Sequence, residues 1–266
     1  MNRRLIIALS IVIIACLSLS SCGGGSGSAP AEPLSASEVQ QLYTSPKQFK
    51  GRPVELTGSA FSVERDGDGV YFQMWQDIKN SENNTIVAYA DPEFELSSGD
   101  FVKVIGVVKD EFKGTNAFGA TITAPAIKAE SVEVLSYIDV MAPTLREVVP
   151  EPNVIDQHGY RVTIDKIEFS KPETRVYVKV ENNGADKFSL YSFNSLIIQD
   201  GRQYEEQDNW DADYPRVQSS LSAGVTTEGI ICFPPLSESN FKIILEGRSD
   251  DWMLKFAPYE YEVIME

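Results

Sequence analysis

Few side chains of high chemical reactivity occur in this sequence, which contains three cysteines and one histidine. Cys22 follows Leu-Ser-Ser and precedes three glycines. Cys232 lies in an apolar run, where a buried thiol is expected and a reactive thiol is the alternative. A Ser-His-Asp or Cys-His arrangement would have to use His158. No nucleophile elbow, phosphate-binding loop or His-Glu-x-x-His motif is present. The sequence therefore favours a protein that is not an enzyme and needs no cofactor.

Acidic side chains are densest between residues 205 and 213. Oxygen ligands at this density could hold Ca²⁺, which makes Asp208, Asp211 and Asp213 candidate cation ligands. No EF-hand spacing is present, however, and a run of charges is usually a solvated loop. The sequence favours the solvated loop over the metal site.

A third group of candidates alternates along one strand-like segment. Tyr71, Gln73 and Trp75 occupy every second position between residues 70 and 75, so one of the two sets faces the core. The other set could form a ligand-binding face with exposed aromatic rings. Between residues 35 and 137 there are 15 acidic and 9 basic residues, which argues against a nucleic acid as the ligand.

The N-terminal 21 residues have the order of a secretory signal. Arg3 and Arg4 form a positive end, and an apolar run over 5–17 leads to small residues. Leu19-Ser20-Ser21-Cys22 resembles the lipobox of bacterial lipoproteins. That resemblance implies that Cys22 is joined to diacylglycerol and becomes the first mature residue, anchored on the extracytoplasmic face of the cell membrane. An uncleaved membrane anchor is the alternative.

Residues 22–34 are rich in Gly, Ser, Ala and Pro, a composition that predicts a flexible tether. The net charge is −16, and loss of Arg3 and Arg4 would make the mature chain −18. Anionic lipid and nucleic acid repel such a chain. We therefore expect it to stand away from the membrane on its lipid.

A first domain is predicted over 35–138. Ser35 and Glu38 fit a capping box, which predicts a short helix to about Tyr43. The strands that follow fit a five-stranded barrel. They are predicted at 54–63, 70–75, 85–90, 101–108 and, as the last, 121–127 with 131–135.

Two segments of this domain resemble the small OB-fold family that is labelled tRNA-anticodon-like. Residues 43–58 resemble its opening helix and first strand, and 99–108 match its later "Gly-Asp, x, Val, x, Val, x, Gly" strand. These motifs mark strands of a barrel and imply no particular ligand.

A linker is predicted at 139–158, because Pro143, Pro150 and Pro152 interrupt a segment without period. Short alternating segments then predict a two-sheet sandwich over 159–266. The predicted strands are 160–169, 175–181, 193–199, 225–233, 241–247, 252–257 and 261–265.

The second domain resembles an immunoglobulin-like domain of Gram-positive lipoproteins whose family label borrows from telomeric repeat-binding factor. Residues 178–184, 198–204, 221–224 and 228–233 carry the resemblance. The chain departs from it in an acidic insertion at 208–213, and it lacks the cysteine pair of antibody domains. The resemblance implies no catalytic residue.

Taken together, the sequence predicts a lipid-anchored, non-catalytic binding or adaptor protein with a protein or envelope partner. A structural or assembly accessory of an envelope complex is the second hypothesis. An envelope hydrolase that uses scattered carboxylates is the third.

Overall fold

A computed structural model describes residues 32–115 and 121–265 of the chain. The chain divides into two compact units between Ser136 and Tyr137. Strands predominate in both units, which confirms the predicted all-β class. Of the helices that are described, none is both long enough and apolar enough to cross a membrane.

The first unit opens with helix α1 (Ala36–Leu42), which begins at the predicted capping box. The Ser35 amide donates to Glu38 Oε2 at 2.8 Å, and the Glu38 amide donates to Ser35 Oγ at 3.4 Å. These two bonds use donors that an uncapped helix would leave open. Leu42 at the end of α1 is fully buried and joins the core of this unit.

In the described part of the first unit, five strands close into a barrel. They are β1 (Pro53–Arg65), β2 (Val70–Asp77), β3 (Glu82–Tyr89), β4 (Phe101–Thr115) and β5 (Thr121–Leu135). The strand order is β1-β2-β3-β5-β4, with β4 pairing back to β1. The pair β3–β5 is parallel and the other pairs are antiparallel, which is the arrangement of an OB-type barrel.

The barrel closes through a very close approach of β4 to β5. A Cβ atom added at Gly106 would lie 2.3 Å from the Lys128 carbonyl oxygen, and the pairing register shifts between Ile105 and Gly106. Glycine removes this clash and lets the strand bend, as barrel closure requires.

The second unit begins with a short helix, α2 (Tyr137–Val140), and continues in short strands. Its first strands are β6 (Arg146–Val148), β7 (Val154–Gln157), β8 (Tyr160–Phe169), β9 (Thr174–Asn182), β10 (Phe188–Leu190) and β11 (Leu196–Gln199). The remaining strands are β12 (Arg202–Glu205), β13 (Ser220–Leu221), β14 (Thr226–Phe233), β15 (Phe241–Leu245), β16 (Gly247–Ser249) and β17 (Tyr259–Val263).

These strands form a sandwich over one apolar core. One sheet has the order β14-β9-β8-β6 with β7 also on β8, and another has the order β12-β11-β15-β17. A small third sheet is β13-β10-β16. Tyr259 and Tyr261 on β17 are buried, and their hydroxyls donate to the carbonyls of Tyr160 and Val162 on β8 at 3.0 and 2.7 Å. These two bonds join the large sheets across the core.

The structure differs from the sequence prediction in several segments. Strands β10, β12 and β13 were not predicted, and the strand predicted at 193–199 begins at Leu196. Two further differences are larger. The residues assigned to a linker, 139–158, contain β6 and β7, which pair with β8. Strands of three and four residues are too short to show a period. The strand predicted at 252–257 is wrong: the segment is a turn and an irregular loop in which Trp252 is 83% exposed. The apolar residues Trp252, Met253 and Leu254 are consecutive, so the segment lacks the two-residue alternation of a half-buried strand.

Candidate functional site

The outer face of the barrel at β1, β2 and β3 brings the predicted ligand-binding residues together. Val70, Phe72 and Met74 point into the core and are fully buried. Tyr71, Gln73 and Trp75 therefore lie on the outer side of β2, because neighbouring residues of a strand face opposite ways.

An aromatic stack dominates this face. The rings of Phe61 on β1 and Trp75 on β2 have centroids 4.2 Å apart and planes inclined by 11°. Phe61 is paired in register with Gln73, so its contact with Trp75 is a diagonal cross-strand contact. Phe61 was not identified from the sequence, because the register that places it opposite β2 depends on the turn between the strands.

Gln73 is fully buried although it lies on the outer face. Its side-chain oxygen accepts a hydrogen bond of 2.8 Å from the amide of Asn84 on β3. The Gln73 amide nitrogen and the Asn84 amide oxygen are also buried and have no partner. Reversing both amides would again leave one donor and one acceptor open. Each such group costs about 1–3 kcal/mol relative to water.

Tyr71 lies beside the hairpin turn at one end of the face. The turn is the predicted Asp-Gly turn, in which Asp66 Oδ1 accepts from the amides of Asp68 and Gly69 at 2.8 and 3.2 Å. Burial raises the pKa of the Tyr71 hydroxyl, and the negative charges of Asp66 and Asp68 raise it further. The phenol is therefore a neutral hydrogen-bonding group at physiological pH.

The three candidate cation ligands do not converge. Asp208 is 3.2 Å from the Arg216 guanidinium, and Asp208 and Asp213 line a cavity of about 140 Å³ that Asp211 does not reach. The Asp211 amide instead closes a turn on Asn209 Oδ1 at 3.3 Å. Within residues 32–115 and 121–265, no group of three or more His, Cys, Asp or Glu side chains could hold a metal ion.

Cys232 lines the same cavity and is 5% exposed. Burial raises the pKa of its thiol to about 12, and the negative charge of Glu173 adds to this. A neutral thiol is a poor nucleophile, and its burial agrees with the packing role expected from the sequence. Cys22 lies outside the described residues.

A buried ionic network in the second unit was missed by sequence reasoning. The Arg175 guanidinium is inaccessible to solvent and donates to Glu168 at 2.9 and 3.1 Å and to Glu173 at 3.1 Å. It also donates to the Ala142 carbonyl and the Thr144 hydroxyl. In the sequence Arg175 occupies an ordinary outward position of an alternating strand. Only the segments folded over it make it buried.

The network fixes the ionisation of its members. Burial alone would raise the pKa of Glu168, but hydrogen bonds from Lys166, Arg175 and Tyr177 outweigh it and lower the pKa to about 2. The second carboxylate, Glu173, accepts from the side chains of Asn209 and Tyr214, each at 2.6 Å. Glu173 therefore ties the acidic loop to β9 and Arg175.

The contacts of His158 hold a turn and a loop in place. His158 forms the tight turn between β7 and β8 with Gly159, at φ values of +60° and +87°. Its Nε2 donates to the Lys255 carbonyl at 2.9 Å, and its ring contacts Phe256 edge-on.

No protein-family model matches the chain, and no curated protein matches its sequence. Fold and site together define an all-β protein in which an OB-type barrel is followed by a β-sandwich.

Proposed function

We propose that this protein is a lipoprotein anchored through Cys22 on the extracytoplasmic face of the membrane, where its barrel binds a protein or envelope partner without turnover. The observation that carries the binding role is the Phe61–Trp75 stack beside the unpartnered Gln73 and Asn84 amides. We also propose, from the sequence resemblances, that the chain carries a lipobox and that its two domains are related to the OB-fold and immunoglobulin-like families.

Aromatic rings at a surface supply binding energy over a small area with little loss of side-chain entropy. The Phe61 and Trp75 rings are already held by their mutual stack, so a partner would not have to order them. The open donor on Gln73 and the open acceptor on Asn84 offer hydrogen bonds that the folded chain leaves unused. A partner with amide or hydroxyl groups fits this combination once the side chains around Gln73 shift.

The charge of the unit directs the choice of partner. Carboxylates outnumber basic residues in the barrel domain, so a phosphate backbone would be repelled. We therefore assign no nucleic acid to this face, although OB-type barrels elsewhere bind nucleic acids.

Site-specific photo-crosslinking on intact cells tests the proposal. A photoreactive residue at position 71 lies at the edge of the binding face, and one at the exposed position 130 on β5 is the control. We expect one partner to be crosslinked from position 71 and not from 130. The same products from both positions would argue against a specific face.

Purified partner then gives the quantitative test. Trp75→Ala should weaken binding at least tenfold, because a buried tryptophan at an interface commonly contributes more than 1.4 kcal/mol. Trp252→Ala is the matched control, because Trp252 is a tryptophan of the other unit that is 83% exposed. Equal losses in both variants would contradict the assignment to the barrel.

A further inference from the structure

The cavity of about 140 Å³ in the second unit is a second candidate site, independent of the barrel face. It lies where residues 206–216 cross the edge of β14. The Gln207 amide donates to the Cys232 carbonyl at 2.9 Å, and the Ile230 amide donates to the Pro215 carbonyl at 2.8 Å. These two bonds hold both ends of the loop on the strand. The side chains between them form the walls of the cavity.

Two residues of the cavity lining, Asn209 and Tyr214, are anchored by a buried carboxylate behind the loop. Glu173 binds Asn209 and Tyr214 of the loop at 2.6 Å each, and it is itself held by the buried guanidinium of Arg175. The Cys232 thiol in the lining is 95% buried and makes no hydrogen bond with any described residue. The cavity is therefore a built feature of the loop, and Cys232 contributes an apolar part of its lining.

The walls combine negative charge with an aromatic ring. Glu206, Asp208 and Asp213 line the cavity, and Arg216 is the one basic side chain among the described residues that do so. Trp210 lies in the same lining and is 76% exposed. Burial raises the pKa of Glu206, and the charge of Asp208 raises it further, so an added positive charge would be favourable here.

Arg216 shows which group the walls accept. Its guanidinium carbon lies 4.4 Å from the centre of the Trp210 ring, and its Nη2 is 3.2 Å from Asp208. A cation in this position stacks on an indole and contacts a carboxylate at the same time. A planar guanidinium fits this geometry better than an ammonium group does. The Arg216 side chain is 61% exposed, so water weakens its hold on both partners.

We propose that this cavity receives the guanidinium group of an arginine on a partner protein, which replaces Arg216 on Trp210 and Asp208. The charge of the walls selects a cation, and the ring selects a planar one. Arg216 acts as an internal occupant that keeps the site closed until a better-placed arginine arrives.

The test uses the indole N–H signals of the ¹⁵N-labelled full chain, in which Trp75, Trp210 and Trp252 are the tryptophans. The probe is N-acetyl-arginine methylamide, and the citrulline analogue is its uncharged isostere. We expect the arginine probe, and not the citrulline probe, to shift the Trp210 signal. In Arg216→Ala the half-saturating concentration should fall at least threefold, and adding Asp208→Asn should raise it again by at least as much.

Trp252 provides the matched control, because it is 83% exposed, follows Asp250 and Asp251, and does not line this cavity. An equal response of Trp252 and Trp210 would overturn the proposal, since any exposed indole near carboxylates would then behave alike. It would also be overturned if Arg216→Ala bound the probe no better than the native chain. Unchanged Trp75 and Trp252 signals without probe report that this variant is folded, and Arg216→Gln repeats the test with a longer side chain.

Discussion

At the scale of residues, the two units treat their buried polar side chains differently. Arg175 is surrounded by acceptors, and its five N–H groups donate to Glu168, Glu173, the Ala142 carbonyl and the Thr144 hydroxyl. Gln73 is equally buried but has one bond and an open donor. The first arrangement stabilises a loop and an edge. The second leaves hydrogen-bonding capacity that a partner can use, which is why the binding role is assigned to the barrel.

Arg175→Met should strongly destabilise the second unit. The substitution leaves the buried Glu173 without its cation and leaves Lys166 as the remaining basic partner of Glu168, and breaking a buried ion pair in this way costs about 3–5 kcal/mol. Urea unfolding, followed by fluorescence in a Trp75→Phe background, reports the second unit alone. Arg161→Met is the control: its ion pairs of 3.6 and 3.8 Å are half exposed, so it should cost less than about 1 kcal/mol. Similar losses in the two variants would show that the Arg175 network contributes little.

The depressed pKa of Glu168 predicts an acid-sensitive stability. Below pH 4.5 the unfolded chain protonates Glu168, whereas the folded chain keeps it ionised to about pH 2. Unfolding then takes up one proton, so this stability is present above pH 4.5 and is lost towards pH 2, at about 1.4 kcal/mol per pH unit. Urea midpoints measured across this range should lose this slope in Glu168→Gln. They should keep it in Glu228→Gln, which changes an exposed carboxylate on β14. A native slope in Glu168→Gln would assign the effect to other groups.

At the scale of elements, closure of the barrel depends on a short distance between β4 and β5. The added Cβ that would meet the Lys128 carbonyl at 2.3 Å shows that the strands have no room for a side chain at position 106. In the second unit, the 206–216 loop covers part of the edge of β14. Without this loop, the unpaired backbone groups of β14 could pair with a strand of another chain.

Gly106→Ala should destabilise the barrel by about 1–3 kcal/mol, because the methyl group overpacks a backbone contact that cannot relax without moving β5. Hydrogen exchange of the β4 and β5 amides measures the effect locally. Gly67→Ala is the control, since nothing lies within 4 Å of its added Cβ. If β4 amides exchange at native rates in Gly106→Ala, the stability of the barrel does not depend on the close approach of the two strands at position 106.

At the scale of the whole molecule, the protein has two independent cores and a strongly acidic composition. A net charge of −16 keeps such a chain away from anionic surfaces unless a covalent anchor holds it there. The proposed lipid on Cys22 supplies that anchor, because each buried CH₂ group contributes about 0.8 kcal/mol.

Cys22→Ala should move the protein from the membrane fraction to the soluble fraction, as measured by detergent phase partitioning and immunoblotting. Cys232→Ala is the matched control: its thiol is buried in the second unit and cannot carry a lipid, so the variant should stay with the membrane. Retention of Cys22→Ala in the membrane fraction would favour an uncleaved apolar anchor over lipidation.

Local features of the fold were predictable because their causes are local. The Ser35–Glu38 capping box, the turn at Asp66 and the alternation of β2 each depend on residues within a few positions of one another. The sequence also placed the barrel strands and named Tyr71 and Trp75 as a face. The lipid anchor at Cys22 stays a prediction.

The remaining features were decided by contacts between residues far apart in the chain. Register between strands put Phe61 against Trp75 and Asn84 against Gln73, and it buried an amide that alternation alone would expose. Segments folding across the sandwich buried Arg175 and made edge strands of the residues assigned to a linker. A side chain's environment depends on what covers it, and the covering element is specified only when the whole chain has folded.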